Sequence, residues 1–330
     1  MVNFGFIGTN FISDWMAEGG KHDPRFRPLA VYSRSADTGR AFADRHGFER
    51  VYTSLDDMLA DPDIDAVYVA SPNALHASQT ISCLNHGKHV LCEKPMASNA
   101  REVSAMIDAA RAADRLLMEA MIPTLSPNFK VVRDNLHRVG TVRRYFASYC
   151  QYSSRYDAFK QGRVANAFKP ELSNGGIMDI GVYCLYPMVA LFGAPNSIIS
   201  TARLLSTGVD AQGTVVATYD DFDGVVIYSK IADSLLPTEI QGEEGTLIID
   251  RINNPRSVQF KPHDKSLPVE DLTVPTPHGE YYEEMRHFID LIESGRRESP
   301  LNSLANSLAT VSIIDRLRAA AGIKFPADAD

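Results

Sequence analysis

The sequence is poor in cysteine and has no metal-ligand spacing. Its four cysteines form no C-x-x-C pair, and its nine histidines never fall at the spacings that bind metals. These absences exclude a zinc module and a disulfide framework, and they are typical of reduced thiols in a cytoplasmic protein. We therefore expect no metal, and we interpret the cysteines as packing residues.

Excess positive charge and long apolar runs are also missing. The chain has 33 Lys and Arg against 41 Asp and Glu, a net charge of −8, which argues against a general nucleic-acid binder. We find no signal-peptide pattern, no internal repeat and no apolar run that predicts a membrane span. We expect a cytoplasmic protein without membrane contact, and 330 residues suffice for two domains.

The chain opens with an apolar strand, Val2 to Ile7, and a glycine-containing turn that starts a helix. Against the dinucleotide-binding pattern G-x-G-x-x-G/A only the first glycine is kept, with Asn10 second and Ser13 third. Asn tolerates left-handed backbone and Ser is small, so we expect both to preserve the turn. The predicted cofactor contacts here are Gly8, Thr9, Asn10, Phe11 and Ile12.

The second strand, Leu29 to Tyr32, ends in Ser33-Arg34-Ser35 before a helix over Ala36 to His46. A site selective for NAD needs an acidic residue at this strand end, whereas a 2'-phosphate favours an arginine. Arg34 is either a solvated charge or the residue that selects the cofactor. The pattern favours NADP, with NAD possible, and predicts cofactor contacts at Ser33 and Arg34.

A third clear strand, Asp65 to Ala70, leads through Ser71-Pro72-Asn73 into a helix over Ala74 to His86. We expect Asn73 to cap this helix, whose N-terminus suits an anionic cofactor. His76 lies in the first turn, as a capping residue or as a direct cofactor contact. Ser71, Pro72, Asn73 and His76 are therefore candidate cofactor-binding residues.

The stretch Lys88 to Pro95, KHVLCEKP, is a short apolar strand that ends in Glu93, Lys94 and Pro95. An open α/β sheet binds ligands at the carboxyl ends of its strands, which is where this strand delivers a lysine. Pro95 cannot continue a strand ladder and fixes the backbone just after it. We predict Lys94 as the chemical centre, with Glu93, Lys94 and Pro95 near the cofactor.

Strand and helix alternate six times up to a strand at Leu116 to Ala120, which predicts an α/β fold with a doubly wound parallel Rossmann sheet. Residues 1–120 form the expected dinucleotide-binding domain. Residues 121–330 form the expected substrate-binding and oligomerisation domain, an α+β domain with a large, open, mostly antiparallel sheet. We expect turns at Asp223-Gly224 and Glu244-Gly245.

The predicted strands of the second domain offer more apolar surface than one helix layer covers, so we expect a homodimer or a dimer of dimers through this sheet. The loop 154–174 carries polar residues, of which Arg155 and Asn166 are candidate substrate contacts. After it a helix opens at Gly175 and runs to about Phe192. Asp179 and Tyr183 lie four residues apart on its predicted face.

Several spaced segments together resemble the Gfo/Idh/MocA oxidoreductases: GFIGTNFIS, DAVYVASPNALH, GKHVLCEKP, NGGIMDIGVY and EEMRHFIDLIESGR. The resemblance implies that Lys94 contacts the substrate hydroxyl and the nicotinamide. It implies that Asp179 is the aspartate of the D-x-G-x-H/Y helix and Tyr183 its catalytic residue. Tyrosine at this position is similar to the dimeric dihydrodiol dehydrogenases and the NADP-dependent xylose dehydrogenases. The family usually has three glycines where this chain has Ser173-Asn174-Gly175.

The resulting hypothesis is hydride transfer between NADP and a carbinol carbon of a sugar, cyclic polyol or trans-dihydrodiol, with Tyr183 as acid/base. A free tyrosine has a pKa near ~10, and the Lys94 ammonium is expected to lower it. Asp179 could instead be a helix N-terminal carboxylate, and Tyr183 a packed aromatic. Two other functions stay open on this fold, a non-catalytic dinucleotide sensor and a reductase of C=N or C=C bonds.

Overall fold

The computed structural model describes residues 1–329, which divide into two compact units. Unit 1 comprises Met1–Ile122 together with Pro277–Leu308. Unit 2 comprises Pro123–Thr276 and the chain from Ala309 onward. The expected second domain took in all of 121–330, so the return of 277–308 to unit 1 is a feature that the sequence did not predict.

Unit 1 is built on a six-stranded parallel sheet in the order β3-β2-β1-β4-β5-β6. The strands are β1 (Val2–Ile7), β2 (Phe26–Tyr32), β3 (Arg50–Tyr52), β4 (Ala66–Val69), β5 (His89–Glu93) and β6 (Leu117–Ala120). The helices between them are α1 (Phe11–Gly20), α2 (Ala36–His46), α3 (Leu55–Ala60), α4 (His76–Asn85) and α5 (Ala100–Ala113). The predicted doubly wound Rossmann sheet is confirmed.

The central strands of this sheet are apolar because helices bury both of their faces. Every residue of β4 and β6 is buried, as expected for a parallel sheet between two helix layers. Phe6 of β1 contacts Tyr68 of β4 with ring centroids 4.9 Å apart, and Phe48 with centroids 5.0 Å apart. The chain reverses its direction of winding between β1 and β4, and ligands bind at this switch point in such sheets.

Unit 2 contains an eight-stranded sheet in the order β14-β13-β12-β11-β7-β10-β9-β8. The chain forms α6 (Ile122–Leu125), α7 (Pro127–Asn135), β7 (Val142–Cys150), α8 (Tyr156–Lys160), α9 (Val182–Phe192), β8 (Ser197–Leu204), β9 (Asp210–Thr218), β10 (Asp223–Ser229), β11 (Thr238–Gly242), β12 (Gly245–Ile249), β13 (Val258–Pro262) and β14 (Glu270–Asp271). All of its strand pairs are antiparallel except β7 with β10. The predicted mostly antiparallel sheet is confirmed.

Two helices close the chain. α10 (Glu280–Glu293) belongs to unit 1, and α11 (Leu304–Ala321) begins in unit 1 and continues in unit 2. Within unit 1, α10 lies against α1, and Gly19 of α1 is so close to Tyr281 that a Cβ at position 19 would collide with it.

Both predicted turn pairs lie where a turn leads into a strand, and Glu244 is part of the turn between the antiparallel strands β11 and β12. Asp223 and Gly224 are the first residues of β10, where Asp223 pairs with Thr218. The turn before them is closed by the Tyr219 amide, which donates to the carbonyl of Phe222 at 2.9 Å. Gly245 likewise opens β12. The Asp223 side chain forms an ion pair with Arg144 of the neighbouring strand β7, 3.0 Å away.

The segment 154–192 differs most from the prediction. The expected loop contains α8 and two 3₁₀ turns, at Asn166–Phe168 and Pro170–Leu172. The expected α-helix opens with a π-helical turn, Ile177–Gly181, before α9. By length and hydropathy Pro170–Phe192 is apolar enough to cross a membrane, but 72% of its apolar window is buried. This segment has the burial of a core helix.

Candidate active site

The glycine turn after β1 depends on a backbone conformation that only glycine adopts easily. Gly8 has a φ of +104°, and a Cβ there would lie 2.5 Å from the carbonyl oxygen of Ala70. Position 8 therefore requires glycine for two independent reasons: its φ is positive, and there is no room for a Cβ. Thr9, Phe11 and Ile12 follow it around the start of α1 and are at least partly exposed.

Asn10 preserves the turn differently from the expectation. Its φ is −86°, which is extended and not left-handed. Its Oδ1 accepts from the amides of Ile12 (2.9 Å) and Ser13 (3.3 Å), and its Nδ2 donates to Ala70 O (2.9 Å). Asn10 is thus the N-cap of α1 and ties the turn to the end of β4. Ser13 is fully buried, in line with the need for a small residue there.

Three of the predicted site segments lie at the same edge of the sheet. Gly8 follows β1, Ser71 follows β4 and Lys94 follows β5, and these strands are parallel neighbours. Their carboxyl ends therefore lie side by side, next to the switch point between β1 and β4. Ser71, Pro72, Asn73 and Lys94 are half-buried, so this edge is partly open to solvent.

Asn73 does not cap helix α4 as expected. It begins a 3₁₀ turn, Asn73–Leu75, and α4 starts at His76 with Leu75 in the cap position. Pro72 accounts for part of this, because its ring fixes φ just before the turn.

The backbone around Lys94 is held at three consecutive residues. The Lys94 amide donates to Glu93 Oε2 (3.2 Å), and the Met96 amide donates to Glu119 Oε1 (2.9 Å). The Pro95 carbonyl faces His76 Nδ1 at 3.0 Å, and the Lys94–Pro95 peptide bond is cis. Lys94 is consequently presented from a rigid segment, as its position before a proline predicted.

His76 is a buried link between two strand ends. Its Nε2 lies 2.9 Å from the carbonyl oxygen of Ser71, and Nδ1 faces Pro95 O as above. The side chain is only 1% exposed. Burial, together with the charge of Lys94, lowers the pKa of His76. Both ring nitrogens thus lie next to backbone carbonyls, and the one that carries the proton donates to its carbonyl, so His76 links the Ser71 and Lys94 segments.

Three buried carboxyl groups lie behind the Lys94 segment. Tyr68 donates its hydroxyl to Glu93 Oε1 at 2.5 Å, and burial raises the pKa of both residues. Burial also raises the pKa of Glu119 to about 7. The pKa of Glu284, from α10, is raised well above the usual range by burial and by the charges of Glu93 and Glu119. Glu93 therefore supports Lys94 with a side chain that faces the protein interior.

The predicted cofactor-selecting residues lie at the end of β2. Ser33 is buried and Arg34 is exposed. Ser35 caps α2, since its hydroxyl accepts from the Thr38 amide at 3.4 Å. Arg34 thus stands between a buried strand end and a capped helix N-terminus, with its side chain in solvent, at the position where the sequence predicted contact with a 2'-phosphate.

In unit 2, a buried aspartate fixes the start of the helix that carries Asp179 and Tyr183. Asp210 accepts from the amides of Gly176 (3.0 Å) and Ile177 (2.7 Å). A Cβ at Gly175 would collide with the Asp210 carboxylate, which explains the glycine. Burial raises the pKa of Asp210. Ser173, where relatives are expected to have glycine, takes a left-handed φ of 55°.

Asp179 forms an ion pair with Lys230 within unit 2. Lys230 Nζ donates to Asp179 Oδ2. The lysine side chain is 5% exposed and the aspartate side chain 33% exposed. Asp179 therefore presents a partly open carboxylate whose other side is bound to a buried ammonium.

Tyr183 packs edge-on against Tyr149, with ring centroids 5.7 Å apart, and is half-buried. The two predicted loop contacts, Arg155 and Asn166, are both exposed. Asn166 starts a 3₁₀ turn, and its carbonyl accepts from Asn174 Nδ2 at 3.0 Å. These four residues belong to unit 2, as does Asp179.

Three supporting residues were missed by sequence reasoning: Glu119, Asp210 and Lys230. Glu119 interrupts an apolar strand, which is itself a signal of a special role. Lys230 directly follows β10 just as Lys94 follows β5, so the same pattern could have found it. Asp210 carries no local signal, because its partners at 176 and 177 are distant in sequence.

Neither metal ligation nor a disulfide is found in residues 1–329. No group of three His, Cys, Asp or Glu residues could hold a metal ion there. The four cysteines are free thiols.

The residues at the edge of unit 1 suit a dinucleotide. The glycine turn precedes the N-terminus of α1, where backbone amides favour an anion. The Ser71 hydroxyl, at the end of β4, is buried without a hydrogen-bond partner. Lys94 and Arg34 add positive charge at the ends of β5 and β2. A parallel sheet with these groups at its switch point is typical of the dinucleotide-binding class of proteins.

Comparison with known proteins agrees with this class. Residues 2–121 match the model of the oxidoreductase family with an NAD-binding Rossmann fold, and residues 135–248 match the GFO/IDH/MocA C-terminal domain. The chain belongs to the GFO/IDH/MocA oxidoreductase family, as the resemblance predicted.

Several relatives are named dehydrogenases or reductases. The chain is 49% identical over 328 residues, 99% of both proteins, to the scyllo-inositol 2-dehydrogenase (NADP(+)) IolU of Bacillus subtilis. It is 29% identical over 309 residues, 90% of this chain and 91% of the relative, to trans-1,2-dihydrobenzene-1,2-diol dehydrogenase of Xenopus tropicalis. The 3-ketoreductase KijD10 of Actinomadura kijaniata, solved with NADP and TDP-benzene, is 25% identical with a TM-score of 0.84 over 97% of both chains. The expectation of an oxidoreductase is confirmed.

Proposed function

We propose that this protein is an NADP-dependent dehydrogenase that acts on a CH–OH group of a cyclic polyol, sugar or trans-dihydrodiol. The observation that carries the proposal is Lys94, delivered by β5 to the switch-point edge of the sheet and held by backbone hydrogen bonds on both sides. The relatives supply the substrate class, because they are named for inositol and dihydrodiol dehydrogenation. A cyclic polyol is the first choice, given 49% identity to the inositol dehydrogenase.

The cofactor assignment rests on Arg34. Its guanidinium is exposed at the end of β2, and no acidic residue occupies positions 33–35. A 2'-phosphate pairs well with a guanidinium, whereas an NAD ribose is usually held by a carboxylate. Gly8, Asn10 and the N-terminus of α1 are the proposed pyrophosphate contacts, and Ser71, Pro72 and Asn73 line the same edge.

The proposed chemical roles follow from residue types. A bound nicotinamide supplies the hydride acceptor or donor. Tyr183 exchanges a proton with the substrate hydroxyl, and the Lys94 ammonium assists by favouring the ionised phenol and by donating to the substrate oxygen. Asp179 orients the substrate, with Asn166 and Arg155 as further substrate contacts. These roles agree with the ammonium and phenol that the sequence pattern singled out.

We further propose self-association through the open face of the unit 2 sheet. Side chains on neighbouring strands form a row on this face, and its apolar members are Ile199, Val216, Val225, Phe146 and Ile248. Glu239 lies in the row between Phe146 and Ile248. Ile199 is 71% exposed in the single chain. A second copy of the same face buries such a row symmetrically, which gives a homodimer or a dimer of dimers. A cytoplasmic location is proposed from the four free thiols.

The test is a screen of cyclic polyols, aldoses and trans-dihydrodiols with NADP⁺ or NAD⁺, followed by absorbance of the reduced nicotinamide. We expect turnover of at least one cyclic polyol, faster with NADP⁺. Lys94→Ala is expected to reduce kcat by about 10²- to 10⁴-fold, the range for a group that assists proton transfer. Wild-type kcat in Lys94→Ala contradicts the role of the lysine.

Two other outcomes decide between functions. Cofactor binding without turnover of any substrate favours a non-catalytic dinucleotide sensor. Trp15, the only tryptophan of the chain, measures that binding directly, since it lies one turn into α1 with its ring 5.0 Å from Phe11. Turnover of imines or enones alone favours a C=N or C=C reductase.

A further inference from the structure

Lys230 is a buried lysine that the proposed mechanism does not use. Only 4% of the residue is exposed. It directly follows β10 in the DGVVIYSK segment, as Lys94 follows β5. Lysine is almost never fully buried unless its charge is paired.

The backbone of Lys230 is fixed on both sides. Its amide donates to Ala211 O at 2.8 Å, and its carbonyl accepts from the Ser153 amide at 2.9 Å. These bonds connect it to β9 and to the segment after β7. The side chain therefore starts from a rigid position and does not depend on a mobile loop.

The ammonium of Lys230 has two partners within unit 2. It donates to Asp179 Oδ2, and it lies 5.6 Å from the centre of the Phe168 ring, within the range of a cation–π contact. Phe168 is itself fully buried. The cation is thus enclosed by an aromatic face and a carboxylate, with Asp179 as the partly exposed member.

This arrangement constrains what Asp179 can do. A carboxylate beside a buried ammonium stays ionised, because its protonation would leave the buried positive charge uncompensated. Asp179 is therefore an acceptor of hydrogen bonds and a poor proton donor. Its orientation on the π-helical turn is also fixed, because one oxygen is bound by Lys230.

We propose that Lys230 is a positioning residue for the reaction: its ammonium holds Asp179 ionised and oriented, four residues before Tyr183 on the same helix. The inference rests on the proposed function and deepens it. It assigns proton exchange to Tyr183 and leaves Asp179 to hold the substrate. Lys230 acts through Asp179 and not by contact with the substrate.

The test compares Lys230→Met, Lys230→Arg, Asp179→Asn and the double variant Lys230→Met/Asp179→Asn. Lys130→Met is the matched control, since Lys130 is an exposed lysine on α7 paired with Asp134. Steady-state kinetics with NADP⁺ and a cyclic polyol give kcat and KM. Thermal unfolding without cofactor gives a second readout that does not depend on activity.

We expect Lys230→Met to lower kcat by about 100-fold, the size of effect that misplacement of a positioned group produces, while KM changes less. Lys230→Arg regains about tenfold, because the positive charge is kept. The double variant loses no more than either single variant, because the two residues act as a unit. In thermal unfolding Lys230→Met and Asp179→Asn each lower the Tm, and the double variant recovers part of that loss.

Three results would overturn the proposed role of Lys230. Wild-type kcat in Lys230→Met overturns the inference, and so does a double variant whose loss is the product of the single losses. A rise in KM with unchanged kcat also overturns it, because Lys230 is then a substrate contact. If Lys230→Met does not fold, Lys230→Arg and Asp179→Asn carry the test, with a reduced kcat at near wild-type Tm expected for Lys230→Arg.

Failure of the two proposals is distinguishable. A wild-type protein that turns over no cyclic polyol, sugar or trans-dihydrodiol contradicts the proposed function, whatever Lys230 does. If the wild-type protein is active and Lys230→Met is equally active, only the proposed role of Lys230 is contradicted. Quenching of Trp15 fluorescence by NADPH is expected to be the same in all variants, because all the substituted residues lie in unit 2.

Discussion

Glu119 is a carboxyl group whose ionisation the fold opposes. It is 1% exposed, and burial raises its pKa from 4.5 to about 7. The native state therefore binds this proton more tightly than the unfolded chain does. The contribution of Glu119 to stability is favourable below pH 4.5 and is lost as the pH rises through 7, because the slope of stability against pH is negative where the native state holds more protons.

Glu119→Gln is expected to stabilise the protein relative to wild type at pH 8 but not at pH 4.5. Glutamine keeps an acceptor for the Met96 amide and has no charge to bury. The stability difference between Glu119→Gln and wild type changes by about 3 kcal/mol between the two pH values, because the pKa is raised from 4.5 to about 7 and each tenfold change in proton affinity is worth about 1.36 kcal/mol. Chemical denaturation across this range measures it, and a difference that is independent of pH contradicts the buried-proton account.

Arg34 is the residue on which the proposed choice of cofactor depends. Arg34→Ala is expected to weaken NADPH binding by about 10- to 100-fold, since a charge-assisted contact contributes about 1.5–3 kcal/mol. NADH binding should change little. Trp15 fluorescence titration measures both affinities.

Arg27→Ala is the control for Arg34→Ala, because Arg27 lies near the start of the same strand and pairs with Glu49 at 2.9 Å. It should leave both affinities unchanged. If Arg34→Ala loses affinity for NADPH and for NADH equally, Arg34 does not recognise the 2'-phosphate.

At the scale of single elements, Asp210 of β9 holds the start of the helix that carries Asp179 and Tyr183. This carboxylate replaces a local cap, because it accepts from the amides of Gly176 and Ile177 across more than 30 residues of sequence. A π-helical turn follows directly, and such turns are frequent at functional sites. The orientation of Asp179 therefore depends on a residue from β9.

Asp210→Ala is expected to destabilise the protein by about 3 kcal/mol, because it leaves two buried amides without a partner. It should also lower kcat at least tenfold while NADPH binding, which belongs to unit 1, persists. The control is Asp264→Ala, in an exposed turn where Asp264 accepts from Ser266. A stable, fully active Asp210→Ala protein contradicts the capping role.

The elements show why parts of the structure were predictable. α2 occurs over Ala36–His46 as predicted, because Ser35 and the left-handed Gly47 mark its two ends within the local sequence. The π-helical turn and the N-cap role of Asn10 were not predicted. Asp210 holds the π-helical start from more than 30 residues away and leaves no local pattern. Asn10, in contrast, caps α1 through the nearby amides of Ile12 and Ser13, so its role was open to local prediction. Lys230 was predictable, since the rule that found Lys94 applies to it.

At the scale of the whole molecule, the open sheet face of unit 2 is the proposed contact between copies. Val225 lies in the middle of its apolar row, between Val216 and Phe146. Val225→Lys is expected to convert the oligomer to a monomer, because a buried unpaired charge is costly at such an interface. Sedimentation velocity measures the mass.

Ser266→Lys, in an exposed turn of unit 2, is the control with the same added charge. It should sediment as the wild type does. A wild-type protein that is monomeric at micromolar concentration contradicts the oligomer, and a Val225→Lys protein of wild-type mass contradicts this face as its interface.

The catalytic assignment to Tyr183 is the central claim, and kcat of Tyr183→Phe for polyol oxidation tests it most directly. The phenylalanine keeps the ring packing against Tyr149 and removes only the hydroxyl. A fall in kcat of about 10²- to 10⁴-fold, with Trp15 still quenched by NADPH as in wild type, is the predicted result. A Tyr183→Phe enzyme that oxidises the polyol at the wild-type rate contradicts the account.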